Sequence, residues 1–496
     1  MRVLRPHQSE AIQSLRQSLA RGKRRPMLQL PTGAGKTITA ATIIRMALDK
    51  GNRVIFTVPA ISLVDQTVRE FYAEGIRDIG VIQADHPMTD SLAKVQVASV
   101  QTLQRRKLPE AGLVIVDEAH RSFDFVRAWM RKPEWASVPF IGLSATPWAK
   151  GLGRDYDDLI VAATTESLIS DGYLSPFRVF APTRPDLSGV RTVAGDFHEG
   201  DLSEAMQAGT ITADVVETWL TLGENRPTLC FAVDRAHAAA LRKGFEAAGV
   251  SCGYVDAFTP PEEREAVRKA FEAGSIKVVC NVGVLTTGVD WDVRCIVLAR
   301  PTKSEMLFTQ IIGRGLRTAP GKADCLILDH SDTTMRLGFV TDIHHDRLCD
   351  GRPKAKADAD RKAPLPKECP ECHYVRSPKV KACPSCGFVG TRRDEIEVED
   401  GELAELTPAR QAKANRELGW ADKVAFMASL RAYAVETGKK EGWVAHKYRE
   451  KFGVWPNDPR VKNARPAADV SPVVRAWIRS RAIRWAKSQD KMRLAA

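Results

Sequence analysis

Residues 26–48 read PMLQLPTGAGKTITAATIIRMAL. An apolar run meets a turn carrying Gly33 and Gly35, then Lys36-Thr37, then a helix-like stretch. Strand, glycine-rich turn, Lys-Thr and helix together form the context that a phosphate-binding loop requires. Glycines let backbone N–H groups approach phosphate, and the helix N-terminus adds a positive dipole. Lys36 would reach the β and γ phosphates of ATP, and the Thr37 hydroxyl would hold Mg²⁺. The strict spacing GxxxxGK[ST] asks for glycine at position 30, where this chain has Leu30.

The same alternation extends outward from this loop. PMLQL, RVIFTV, KVQVAS, LVIVD and FIGLSA are short runs rich in Val and Ile, separated by amphipathic segments. Such runs predict buried parallel strands in a doubly wound α/β domain. The pattern restarts after about residue 195 with TLCFAV, CGYVDA, KVVCNV, CIVLAR and CLILD. The turn-rich DGYLSPFRVFAPTRPDLSG lies between the two sets. The expected fold class is therefore α/β, with two tandem parallel-sheet lobes at 1–165 and 196–340 and a crossing at 166–195.

VIVDEAH (114–120) ends an apolar strand in two carboxylates. Asp117 can position Mg²⁺ through water, and Glu118 can polarise an attacking water. QIIGRGLR (310–317) places Arg314 and Arg317 three apart. On a helix that spacing puts both guanidinium groups on one face, where like charges repel unless an anion sits between them.

These motifs, with SAT (Ser144, Ala145, Thr146) and LTTGVD (285–290), occur in the order of the superfamily 2 DEAD/DEAH-box helicases, which the chain resembles over about residues 1–340. PTGAGKT is that superfamily's usual form of the loop, which accounts for Leu30. The resemblance implies RecA-like lobes and ATP hydrolysis coupled to movement along a strand. It implies Arg314 and Arg317 as arginine fingers with Gln310 beside them, and Asp290 in the motif coupling nucleotide to strand. RPHQ (5–8) looks like the adenine-reading motif, which implies Arg5 and Gln8 near the base. VPAISLVDQT (58–67) and ASVQTL (98–103) resemble strand-facing motifs, which implies Ser99, Gln101, Thr102 and Thr286 as phosphate-backbone contacts. Capping or turn chemistry is the alternative for each of these four. QIIGRGLR differs from the QRxGRxGR of the RNA-remodelling DEAH enzymes and looks like bacterial DNA-repair and restriction motors, closest to RadD-like DNA repair helicases. DNA, single-stranded or branched, is the expected partner. An RNA remodeller and an ATP-gated DNA-binding or recruitment protein are the rivals.

Behind the lobes, CPECHYVRSPKVKACPSCG (369–387) sets Cys369, Cys372, Cys383 and Cys386 as two CxxC pairs ten residues apart. Four thiolates suit tetrahedral Zn²⁺, and Gly387 permits the positive φ that a knuckle turn wants. His373 could compete as a ligand, but four cysteines already close the shell. A zinc ribbon at 367–390 is expected, either touching nucleic acid through Lys379 and Lys381 or serving as a structural staple. The other six cysteines, in runs such as IKVVCNV, read mostly as small hydrophobes.

The chain's 496 residues suggest roughly three or four domains. No apolar run approaches the ~20 residues of a membrane span, and MRVLRPHQSE lacks a signal-peptide core, so no membrane partner and a cytoplasmic location are expected. Residues 341–366 and the acidic 391–412 read as linkers. From Thr407 onward there are 20 Lys and Arg against 8 Asp and Glu, which accounts for the whole net charge of +12. A localised basic segment is the footprint of a polyanion binder. Within it, 413–496 reads as a small helical domain, with Trp420, Trp443, Trp455, Trp477 and Trp485 expected in its core and a basic surface facing DNA.

Overall fold

The computed structural model describes residues 2–83, 86–121, 123–182, 184–193, 195–206, 210–286, 290–352, 364–389, 419–475, 477, 478 and 481. They fall into two compact units, Met1–Thr391 and Arg392–Ala496.

The first unit opens with a seven-stranded sheet: β1 (Pro26–Gln29), β2 (Val54–Val58), β3 (Ile79–Ile82), β4 (Val95–Ser99), β5 (Leu113–Val116), β6 (Phe140–Ser144) and β7 (Asp158–Val161). Its order is β3-β4-β2-β5-β6-β1-β7, and every pairing is parallel. Side chains alternate between two cores, as a strand's period of two dictates. Leu28, Phe56, Val97, Ile115 and Leu143 enter one. Met27, Ile55, Ala98, Val114, Val116 and Phe140 enter the other, beside the fully buried Trp129. Burial on both faces explains why these strands read as continuous apolar runs.

The second sheet contains β8 (Phe177–Phe180), β11 (Thr228–Phe231), β12 (Cys252–Val255), β13 (Val278–Asn281), β14 (Cys295–Leu298) and β15 (Cys325–Asp329), in the order β12-β13-β11-β14-β15-β8. It too is all parallel, and a short hairpin of β9 (Thr192–Val193) and β10 (Asp196–Phe197) precedes it. Cys230, Cys280 and Cys295 are buried in one face as small apolar side chains, and Cys325 is buried in the other. The crossing at 166–195 is more than a connector, because FRVF within it pairs with β15 and forms the edge of the second sheet.

That edge is covered. The ribbon strands β16 (Lys367–Glu368) and β17 (Val375–Arg376) pair antiparallel, and Tyr374 bridges backbone to Phe180. Ala181 N donates to His373 O at 3.0 Å, and the Phe180 and Tyr374 rings meet edge-on at 5.3 Å. The start of the segment expected as a linker is likewise packed: Leu348 lies against the first lobe's core, and Gly153 N donates to Cys349 O.

Within the second unit, helices Trp420–Thr437, Glu441–Phe452 and Pro459–Lys462 enclose Met427, Leu430, Val444, Tyr448, Phe452, Val461, Val474 and Ile478. This corrects the expectation of a tryptophan core. Trp443 and Trp477 flank the core, whereas Trp420 and Trp455 are 46% and 41% exposed. At the rim of this small domain an indole keeps its N–H in reach of water and offers its face to cations. Arg460 lies 3.8 Å over Trp420 and Arg449 4.6 Å over Trp455. Trp485 lies outside the described residues, as does the acidic stretch 394–405. No helix among the described residues is long and apolar enough to cross a membrane.

Gly315 ends the helix Glu305–Gly315 where it presses on the second sheet. A Cβ there would strike Cys325 Sγ and come within 2.8 Å of Ile296 Cδ1. Ala gains about 1 kcal/mol of helix propensity over Gly, but overpacking a filled core costs about 1–3 kcal/mol. Gly315→Ala should therefore lower the thermal midpoint, measured by calorimetry, despite the better helix former.

Candidate nucleotide cleft and metal centre

β5, β6 and β1 are neighbours, so their carboxyl ends set Asp117, Ser144 and the phosphate loop side by side. Gly33 (φ 87°) and Gly35 (φ 85°) are left-handed, the conformation that glycine adopts without cost. The loop also has no room for a side chain. A Cβ on Gly35 would strike Gln8, and one on Gly33 would lie 2.8 Å from Leu174 Cδ2. Thr37 is half-buried in the first turn of the helix Lys36–Leu48.

RPHQ lies directly beneath this loop. Gln8 is buried, and its Nε2 donates to Ala34 O at 3.0 Å; His7 Nε2 donates to the same oxygen at 3.0 Å. Arg5 lies 4.8 Å over the Tyr173 ring, and His7 meets that ring edge-on at 5.2 Å. Tyr173 comes from the interlobe crossing and carries no local motif, so the sequence reading did not find it.

Lys36 Nζ lies 2.5 Å from Glu118 Oε1 and 4.0 Å from Asp117 Oδ1. Burial raises the Asp117 carboxyl to about 6, against the opposing pull of Lys36. Burial also works against charge on Glu118, but nearby positive charge, Lys36 foremost, outweighs it and holds that carboxyl below its ordinary value. Burial brings His120 down to about 4, so the ring is neutral at pH 7. The Gln310 amide Nε2 lies 3.1 Å from His120 Nε2, which must then accept, so the ring proton sits on Nδ1. That proton faces Ser144 Oγ at 2.8 Å and Glu118 Oε2 at 3.3 Å. Gln310 Nε2 also donates to Thr146 Oγ1 at 3.2 Å, and Thr146 N donates to Ser144 Oγ at 3.0 Å. A polar chain thus crosses from the carboxylates of one lobe to the glutamine of the other. His120 was within the quoted DEAH, yet the sequence reading gave it no role.

The two arginines correct one expectation. The helix stops at Gly315, and Arg317 lies beyond the cap residue Leu316, in a backbone bridge to Leu174. Beyond the helix, Leu316 O accepts from Ser175 N, and Lys322 Nζ donates to Gly315 O and Arg317 O, so the carbonyls of the departing chain are satisfied. The arginines still converge. Arg317 Cγ would lie 3.3 Å from a Cβ on Gly33, and Gly313 fits against Thr32 of the loop. Arg317 pairs with the largely exposed Asp290. Arg314 is 6% exposed, and burial, reinforced by Arg317, brings its guanidinium down to about 9, with Glu118 and Asp290 pulling the other way.

The four residues read as strand contacts are placed differently from one another. Ser99 is fully buried and caps a helical turn, accepting from Thr102 N at 3.2 Å while its Oγ meets Thr102 Oγ1 at 2.9 Å. Gln101 is exposed, and Thr286 is buried beside Gly283. Residues 287–289 of LTTGVD lie outside the described residues.

In the ribbon, the sulfurs of Cys369, Cys372, Cys383 and Cys386 lie within 4.8 Å of one another. Cys369 to Cys386 is 3.7 Å and Cys372 to Cys383 is 3.6 Å. A tetrahedral ion with Zn–S bonds of ~2.3 Å sets its sulfurs roughly 3.8 Å apart, so the cluster fits zinc. Burial opposes the Cys383 thiolate, but N–H groups of Cys386 and Ser385 aimed at it bring it to about 7. His373 turns away and pairs with Glu368 at 2.6 Å. Gly387 has φ 76°, as a knuckle requires.

The chain is similar to several known proteins. The family described as type III restriction enzyme, res subunit, matches residues 2–149, and the helicase conserved C-terminal domain matches 212–319. A 51.5 kDa protein of a Lactococcus phage is 30% identical over 70% of this chain and 74% of its own length. IRC3 of Saccharomyces cerevisiae, named as an ATP-dependent helicase, is 31% identical over 66% of this chain and only 51% of its own. A solved fragment described as an HsdR subunit of a type I restriction enzyme from Vibrio vulnificus YJ016 aligns with a TM-score of 0.55. It is 22% identical, over 71% of this chain and 68% of the fragment, which bears on the fold alone.

Two outcomes follow from this geometry. A carboxyl raised from 3.8 to about 6 in the folded state binds protons more readily folded than unfolded, so its charge costs stability above pH 6. Asp117→Asn should therefore raise the melting midpoint at pH 8, by about 2–4 °C per kcal/mol recovered, and the gain should vanish as pH falls from 6 to 4. For the metal, mass spectrometry of the purified chain should find one zinc. Cys383→Ser should lose it and increase hydrogen exchange at 177–181, where the ribbon covers β8.

Proposed function

The chain belongs to the superfamily 2 helicases, an ATP-hydrolysing enzyme class of nucleic-acid motors, and on that footing we propose that it moves along or unwinds DNA. The observation that carries this reading is the meeting of Arg314 and Arg317, from one lobe, with the phosphate loop and Glu118 of the other.

Lys36 is shared by Glu118 and Asp117, and the phosphates of an entering ATP compete for it. Once Lys36 turns to the phosphates, Glu118 keeps His120 as neighbour and is free to take a proton from the attacking water. Thr37 and Asp117 would hold Mg²⁺, which neutralises charge on the phosphates. Asp117 suits that role because its half-buried carboxylate lacks full compensation by Lys36. Arg314 and Arg317 stabilise charge developing on the transferred phosphoryl group, and the burial of Arg314 strengthens its part. Gln310 touches both Thr146 and His120, so it registers whether the lobes are closed. Tyr173, Arg5 and His7 form the wall beside Gln8 where the adenine would lie.

DNA is favoured by the restriction-enzyme family matched over the first lobe and by the QIIGRGLR form of the finger motif. The second unit supports it independently, with exposed Trp420 and Trp455 lying under Arg460 and Arg449 on a basic domain. Aromatic faces beside guanidinium groups suit bases and phosphates of a single strand. The exposed Gln101 is the remaining candidate of its motif for backbone contact.

Steady-state ATP hydrolysis with no polymer, single-stranded DNA, duplex DNA or RNA is the test. Stimulation by DNA is expected, and Glu118→Gln should reduce it by about 10²-fold or more while nucleotide still binds. Stimulation by RNA alone would make the protein an RNA remodeller. Hydrolysis indifferent to every polymer would overturn the motor reading.

A further inference from the structure

After the second lobe the chain does not leave the motor. Phe339 packs on Phe177, with ring centroids 6.1 Å apart, and Val340 is buried in the core that runs through both lobes. The chain then returns to the first lobe. Leu348 packs on that lobe's core beside Leu152. Gly153 N donates to Cys349 O at 2.9 Å, and Arg154 Nε donates to Asp350 O at 2.6 Å. The approach is close enough that a Cβ on Gly153 would lie 3.2 Å from Leu348 O and 3.3 Å from Asp350 N. Residues 339–351 are thus a strap anchored on both lobes, in addition to the crossing at 166–195.

His345 sits at the middle of this strap. Its ring lies 4.9 Å from that of Trp148, and its Nε2 donates to Glu305 Oε2 at 2.9 Å. Trp148 is two residues past Thr146, and its N–H bonds back to Thr146 O at 2.8 Å. Glu305 opens the helix that carries Gln310 and Arg314. Thr146 and Gln310 are hydrogen-bonded to each other across the seam between the lobes. One imidazole therefore holds both flanks of that seam contact, without itself reaching the cleft.

We propose that His345 is a positioning residue for ATP hydrolysis: through Trp148 and Glu305 it sets the register in which the finger helix meets the SAT segment. The strap makes the closed arrangement of the lobes local and pre-formed, so that Arg314 arrives beside Glu118 without a search. The inference rests on the ATP-driven motor reading. It predicts a defect in the chemical step rather than in nucleotide binding, because neither Trp148 nor Glu305 belongs to the phosphate loop.

The experiment measures DNA-stimulated hydrolysis by the full chain carrying His345→Ala, Glu305→Ala or both. For His345→Ala the expected kcat is about tenfold lower, toward the upper end of what a residue away from the ligand contributes to coupling, with KM for ATP within about twofold. Glu305→Ala should match it, and the double variant should be no worse than either single one. His345→Gln, which keeps a donor to Glu305, should recover part of the loss. Unchanged kcat, additive losses, or a rise in KM that tracks a lower melting midpoint would each overturn the proposal. A wild-type chain indifferent to every polymer would count against the motor reading instead.

Discussion

The structure depends on a guanidinium held where water scarcely reaches it. Arg314 is buried at the seam between two sheets, close enough to Arg317 for their charges to oppose and close enough to Glu118 to be offset. A buried charge is costly unless it is paired and hydrogen-bonded, and like charges add to that cost. The surroundings are organised to make the position tolerable. Gly313 lets the helix approach Thr32, Gly33 leaves room for Arg317, and the carboxylates of DEAH lie opposite.

The cleft as a whole is electrostatically unrelaxed. Asp117 is pushed toward its neutral form, His120 is kept neutral, and Arg314 is pushed toward losing its charge, all principally by burial. Negative charge brought beside Lys36 and Arg314, and positive charge brought beside Asp117, would relieve these tensions at once. Preorganised charge of this kind needs no rearrangement at the moment of reaction, which is why it is effective in catalysis. Stability given up at the site is supplied by two sheets buried on both faces.

The ribbon and the strap show the same economy at larger scale. An edge strand such as β8 presents unpaired backbone groups, and the four-cysteine ribbon covers it with Tyr374 and His373. The ribbon lies against the second lobe, with four cysteines supplying the order that so few residues cannot obtain from a core of their own. The strap then closes on the first lobe through Gly153 and Arg154. The second unit follows another rule, placing exposed indoles under cations at its rim and leaving its interior to Leu, Val, Tyr and Phe.

The amino-acid sequence by itself determined the class of fold, the phosphate loop, the DEAH carboxylates and the four-cysteine cluster. Each of these is local: strands buried on both faces read as apolar runs, and a knuckle or phosphate loop is a few adjacent residues with fixed roles. Sheet pairing, and not the reading of apolar runs, revealed β3 (IGVI), β7 (DLIV) and β8 (FRVF), although they are no shorter than β1 or β5. Tertiary structure also placed Arg317 beyond the helix end, with Ser175 and Lys322 satisfying the carbonyls around it. It placed Tyr173 by the RPHQ segment, joined His120 to Gln310 and bound His345 between two lobes. These contacts link residues far apart in the chain, and periodicity or motif spacing carries no information about such meetings.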